Sequence, residues 1–196
     1  MRLAVQRPEG EDEHEWMAVH TVDCYNELSL LVGAIVEQLT EDRFPKMRVK
    51  GNEYRWADSQ HPTPIAVSAP AYFDYVLTWV QANINDEAIF PVSVDVSFPA
   101  NFKETVSSMF RRMFRLYAFL YDQLYDDFKA IMVDGPEGDQ APASAHLNTC
   151  FKHFLYFTLE FDLVSDEELS VMQDLIDAIL AKDGMSVSTA AAAAGT

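Results

Sequence analysis

The chain has 196 residues, 49% of them hydrophobic and 12% aromatic, and sets 31 Asp and Glu against 14 Lys and Arg for a formal net charge of −17. This length suits one domain around one sizeable core. The negative charge repels phosphate backbones and anionic headgroups, which argues for no nucleic acid and no membrane among the partners. A basic protein segment is the partner such a surface suits, although the same charge serves solubility equally well.

The opening MRLAVQRPEGEDEHEW lacks the apolar stretch of a signal peptide, and no run of about 18 apolar residues follows, so the expected compartment is the cytoplasm, with the nucleus open. Residues 1–7 read as a lead-in and residues 8–184 as a single domain. From about Trp16 to Leu39, Leu28, Leu31, Ile35 and Leu39 recur at helical spacing. Leu30 and Ala34 add a second apolar strip, which predicts a helix buried on more than one side.

Between Thr40 and Ala69 the periodicity stops, and Pro45, Gly51, Pro62 and Pro64 punctuate a loop with a short strand pair around MRVK and EYRWA. Ser68 ahead of Pro70 signals a helix start, continued by Tyr72, Val76, Val80 and Asn83 to about Asn85. The loop IFPVSVDVSFP follows. From Asn101 to about Met132, Phe102, Val106, Met109, Met113, Tyr117, Leu120, Leu124 and Ile131 keep one stripe, which predicts a single long helix.

VDGPEGDQAPAS, residues 133–144, reads as a mobile surface insertion, and a helix resumes from near Ala145 to Phe161. Ser165 and Glu168 match a capping box, with Leu169, Met172, Leu175 and Ile179 as the buried stripe behind it. Gly184 sits where a C-terminal cap belongs, and residues 185–196 read as a disordered tail. The fold class is therefore all-α, a bundle of about four long helices with long loops.

His146, Cys150 and His153 fall on one helix face, but three ligands from one helix rarely close a tetrahedron, so packing with two hydrogen-bonded histidines is favoured over a metal. Cys24 is the other cysteine, and both are expected as reduced, buried thiols. No G-x-S-x-G, H-E-x-x-H or phosphate-binding glycine loop occurs, and no enzyme is expected. Of two carboxylate groups, Asp166, Glu167 and Glu168 suit a helix N-terminus. Glu9, Glu11, Asp12, Glu13 and Glu15 form either a solvated arm or a docking face.

Arg111, Arg112 and Arg115 lie opposite Met113 at about 100° per residue, exposed and side by side. Guanidinium forks suit phosphate, so the three form either an anion pocket or a patch neutralised by Glu104 near Arg111, Ser108 near Arg112 and acids from other segments.

The stretches PEGEDEHEWMAVHTVD, NEYRWAD, SAPAYFDYVLTWVQ, FPANFK, RRMFRLYAFLY and AHLNTCFKHFLYF, in this order from about Pro8 to Leu180, resemble the Mob family of kinase activators, its Mob-one-like branch in particular. The resemblance implies a Mob-like fold around a four-helix bundle, no catalytic activity and no cofactor. It also implies two partners. One is the basic N-terminal segment of an NDR/LATS-type protein kinase, met at positions corresponding to Glu11, Glu15, Trp16, Asp23 and His153, with Leu30 and Leu31 on the same helix. The other is a phosphorylated upstream Hippo-type kinase or scaffold, held by Arg111, Arg112 and Arg115.

The family's structural zinc is held by Cys-x4-Cys and His-x4-His, where this chain has Leu39, Phe44, Phe119 and Leu124. None of these side chains ligates zinc, so a metal at those positions is excluded and an apolar plug is expected instead. The resemblance further implies that an N-terminal extension with a regulatory phosphothreonine is missing. The lysines that many relatives carry before the SAP motif are absent from SQHPTPIAV, and the 133–144 insertion has no counterpart. The implied role is a monomeric, non-catalytic co-activator in Hippo-type signalling, cell-cycle exit or cytokinesis. The alternative is a phosphopeptide-binding scaffold that no longer activates a kinase.

Overall fold

The computed structural model describes residues 2–93, 95–134 and 140–184. Its longest helix, α2 (Glu13–Ile35), starts earlier than the apolar spacing alone predicts, because Asp12 caps it. The Asp12 carboxylate accepts from the backbone N–H groups of His14 at 2.8 Å and Glu15 at 3.1 Å, satisfying two otherwise orphaned donors. Leu28, Leu31, Ile35 and Leu39 are buried as the spacing requires. The second strip is not: Leu30 is 76% exposed and Ala34 is exposed too, so α2 is buried on one side only.

Residues 2–7 are no mere lead-in. Arg2–Val5 form a short helix, α1, that packs on α6 (Ala143–Phe161), with Val5 fully buried and its carbonyl accepting from the Trp16 indole at 2.9 Å. After α2, the hairpin β1 (Arg48–Val49) and β2 (Asn52–Glu53) pairs Arg48 with Glu53 and Val49 with Asn52. Its tight turn places Lys50 and Gly51 at φ 46° and 86°, where glycine is at ease. Trp56 then bridges to Ile65 rather than to the hairpin.

Helix α3 (Ala69–Ile84) begins after Ser68, with a proline in its first turn where no N–H is needed. The predicted 101–132 helix is two: α4 (Phe102–Gln123) and α5 (Tyr125–Ala130), broken at Leu124, whose ψ of 4° leaves the helical region. Nothing in the local sequence breaks a helix there, since neither glycine nor proline is present. The first half of the stripe faces the core, and from Leu116 to Leu120 every residue is buried, which makes α4 the central helix. Phe110 stacks on Phe154 of α6 with ring centroids 4.9 Å apart, and Tyr117 meets Phe151 and Phe154.

The 133–144 segment contains paired structure. Strands β3 (Met132–Asp134) and β4 (Gln140–Pro142) form an antiparallel ladder, and Ala143 N–H donates to Ile131 at 2.8 Å to lead into α6. Residues 135–139 at its tip, like the predicted tail at 185–196, lie outside the described residues.

The last predicted helix is also divided, into α7 (Asp166–Leu169), a 3₁₀ turn at Ser170–Met172 and α8 (Gln173–Lys182). A 3₁₀ turn advances three residues per turn rather than 3.6, which shifts the register. The buried residues are Leu169, Met172, Ile176 and Leu180, while Leu175 and Ile179 are only half-buried. Gly184 closes the end at φ 70°. The architecture is all-α as predicted, and among the described residues no helix is long and apolar enough to cross a membrane.

Candidate functional site

The three arginines rise from consecutive turns of α4, but they are not equally exposed. Arg111 is exposed, whereas Arg112 and Arg115 are half-buried beneath residues from distant segments. Arg112 lies between two indoles, 4.4 Å from the Trp56 ring and 4.5 Å from the Trp79 ring, and donates to the Ala57 carbonyl at 3.0 Å. Guanidinium faces stack well on indoles, so this arginine is held rigid by cation–π attraction from both sides. Burial pushes its pKa down from the ordinary value, and the like charges of Arg115 and Arg111 add to that.

Arg115 donates to Glu168 at 2.6 Å and to the Tyr72 hydroxyl at 3.3 Å, and lies over the Tyr54 ring. Burial opposes its charge, yet Tyr72 and Glu168 outweigh burial and hold its pKa above the ordinary value. Glu168 also stands 3.7 Å from Arg111, and so sits between two of the three cations. Arg111 bonds Ser108 at 3.2 Å, not the Glu104 expected near it, and Glu104 forms no ion pair among the described residues. The neutralising acid is thus Glu168. Its place after Ser165 had a local explanation, and the backbone half of the capping box does form, with Glu168 N–H donating to Ser165 Oγ at 3.4 Å. The carboxylate half goes to the arginines.

Among the described residues, the buried Arg115 Nε has no hydrogen-bond partner. A buried unpaired donor costs free energy unless something satisfies it. The residues that sequence reasoning missed here are Glu168 and the aromatic walls Trp56, Trp79, Tyr72 and Tyr54. Their signal lay in the density of aromatics in NEYRWAD and AYFDYVLTW.

The acidic positions gather on the outward side of α2. Glu15 and Asp23 are exposed and share that side with half-buried Glu27 and with Val19, which is 57% exposed, and Leu30. Glu11 is exposed just before the helix. Trp16 is half-buried, edge-on to His20 at 4.7 Å. Leu31 does not belong to this face: at 5% exposure it is part of the core, because one residue on a helix turns the side chain about 100° from Leu30.

His153 of α6 meets α2 at the edge of this face, between Glu27 and His20. Its Nδ1 lies 3.0 Å from a Glu27 oxygen and its Nε2 lies 3.0 Å from His20 Nδ1. His20 stacks on Phe157, and burial pushes its pKa down, with His153 adding to the effect. The α6 trio disfavoured as a metal site is not grouped as ligands: His146 is exposed, and the residues grouped with His153 are Cys24 and Glu27 of α2. Cys24 is buried and Cys150 half-buried, both as free thiols, and burial pushes the Cys150 thiol up to about 11.

At the positions of the family's zinc ligands, Leu39, Phe119 and Leu124 are buried and Phe44 packs half-buried against the same core. Phe119 contacts Phe44 and Phe73 edge-on, at 5.1 and 5.4 Å. Because α4 is buried all round near Phe119 and the chain breaks at Leu124, residues five apart both reach the interior. The donor set offers no nitrogen, oxygen or sulfur, and does not fit zinc.

The sequence pattern of the Mob1/phocein family matches residues 1–172. MOB kinase activator-like 1A of Arabidopsis thaliana is 42% identical over 182 residues, which cover 92% of this chain and 80% of that protein. MOB kinase activator-like 1 homolog B of Dictyostelium discoideum is 47% identical over 179 residues, 90% of this chain and 78% of that one. On that span and those identities, the chain belongs to the Mob1/phocein family.

Proposed function

We propose that this protein is a non-catalytic adaptor that co-activates an NDR/LATS-type protein kinase by docking the basic N-terminal segment of the kinase on the outward side of α2. The names of its relatives support a kinase co-activator role. The observation that carries the docking is the α2 face itself, where the carboxylates of Glu15, Asp23 and Glu27 alternate with exposed Val19 and Leu30. A basic amphipathic helix meets such a face with cations on the acids and apolar residues on Val19 and Leu30. The charge speeds encounter and fixes orientation, and the apolar contacts hold the complex.

The arginine pocket serves a second partner, a phosphothreonine-bearing upstream kinase or scaffold of the Hippo type. A phosphate carries more negative charge than the Glu168 carboxylate, and three acceptor oxygens reach both Arg111 and Arg115. The docking is tested by capture of a basic N-terminal kinase segment. Glu15→Lys and Leu30→Asp each weaken capture tenfold or more and leave phosphopeptide binding in place. Capture unchanged in Glu15→Lys overturns the assignment of this face.

A further inference from the structure

Cys24 and Glu27 lie one turn apart on α2, and His153 reaches them from α6, so that a sulfur, a carboxylate oxygen and an imidazole nitrogen all fall within 4.8 Å of one another. None of the three is one of the erased ligand positions. We propose that Cys24, Glu27 and His153 form a binding site for a single divalent cation of the zinc class, fastening α2 to α6.

The donor chemistry selects the metal. One thiolate, one imidazole and one carboxylate suit Zn²⁺ or Co²⁺, whereas Ca²⁺ and Mg²⁺ take oxygen ligands. Three of the four ligands of a tetrahedral ion lie within 4.8 Å of one another. With metal–ligand bonds of about 2.0–2.3 Å, neighbouring ligand atoms stand about 3.3–3.6 Å apart. His153 Nδ1 and the Glu27 oxygens are already at 3.0 and 3.1 Å, so these two part slightly while the widest pair contracts. Two helices supply the ligands, which removes the objection to a site built from one helix face. An ion reaches the site from the side of Glu27, 33% exposed, and His153, 13% exposed, and meets Cys24 at the fully buried end.

His20 supplies the support that a ligating histidine ordinarily has. Its Nδ1 lies 3.0 Å from His153 Nε2, so the imidazole is oriented with Nδ1 toward Glu27. In the free protein, His20 Nδ1–H donates to His153 Nε2, and His153 Nδ1–H donates to Glu27. On binding, His153 Nδ1 gives up its proton to become a ligand, while its Nε2–H donates to His20 Nδ1 and His20 carries its proton on Nε2. The Cys24 S–H bond breaks as the sulfur–metal bond forms. Both imidazoles remain neutral, and one proton is released to solvent per ion bound.

The test is a Co²⁺ titration of the reduced 196-residue chain, stripped of metal and followed by absorption. One equivalent binds with a near-ultraviolet thiolate-to-cobalt band and is displaced by one equivalent of Zn²⁺. Cys24→Ser abolishes the band, Cys150→Ser retains it, and Glu27→Gln weakens Co²⁺ binding tenfold or more. Absence of a thiolate band in the wild-type chain, or a band that survives Cys24→Ser, overturns the proposal. Circular dichroism establishes that Cys24→Ser is folded. If it is not, Glu27→Gln decides, and an unchanged Co²⁺ affinity in that variant overturns the site.

Discussion

Arg115 of α4 and Glu168 of α7 form a 2.6 Å ion pair in which each side chain is only 25% exposed. The same carboxylate reaches toward Arg111 at 3.7 Å, so the pocket carries its own anion. Under the proposed function, an incoming phosphate competes with this internal carboxylate, so that Glu168 sets part of the affinity.

Glu168→Gln removes that competitor. Phosphothreonine-peptide affinity rises by roughly threefold to tenfold, while stability falls by about 1–2 kcal/mol, below the cost of breaking a fully buried pair because this one remains in contact with solvent. Isothermal titration and urea unfolding measure the two effects, and a fall in peptide affinity would contradict the competitor role.

Arg112 is held by shape as much as by charge. Arg112→Lys keeps the charge but loses the planar stack between Trp56 and Trp79 and the bond to Ala57. The expected loss is about 1–2 kcal/mol of stability, with quenching of indole fluorescence changed. An unchanged urea midpoint would mean that the stack contributes nothing.

The apolar plug separates two of its members. Phe119→Ala, at a fully buried position between Phe44 and Phe73, costs about 3–5 kcal/mol, and Phe44→Ala, at a half-buried one, about half as much. Chemical denaturation orders the two, and equal small losses would show the plug to be loosely packed.

Asp58 accepts from the Trp56 indole N–H at 2.9 Å and from the His61 backbone, and the Trp56 bond is the main cause of its lowered pKa. Its folded pKa lies below the ordinary 3.8, so the carboxylate stabilises the fold above that value, and the contribution is lost as pH falls through the folded pKa. Asp58→Asn is thus less stable than wild type at neutral pH, and the gap narrows in acid below about pH 3.8. Thermal melts from neutral to acid pH check the trend, which a pH-independent gap would refute.

Much of the fold was legible from local pattern. The start of α3 at Ser68 and Pro70, the end of α8 at Gly184 and the apolar spacing of α2 and α4 are short-range features, and the structure has them. The break at Leu124 was not legible, since Asp122 to Asp126 contains no helix breaker and tertiary packing overrides propensity there. The arginines were found and Arg111 is exposed as expected, but the exposure of Arg112 and Arg115 was misjudged, because a helical wheel shows which side of α4 they occupy and not that Trp56, Trp79 and Tyr72 cover them.

The sequence by itself determined that the chain is helical, acidic, related to Mob proteins and without donors at the family's zinc positions, since composition, period and residue identity are local properties. Only the tertiary structure decided which groups meet. Glu168 and Arg115 are 53 residues apart in the chain, and Glu27 and His153 are 126 apart. Charge and hydrogen-bonding energies depend on distances of a few ångströms through space, which the packing of α7 on α4 and of α6 on α2 sets and spacing along the chain does not.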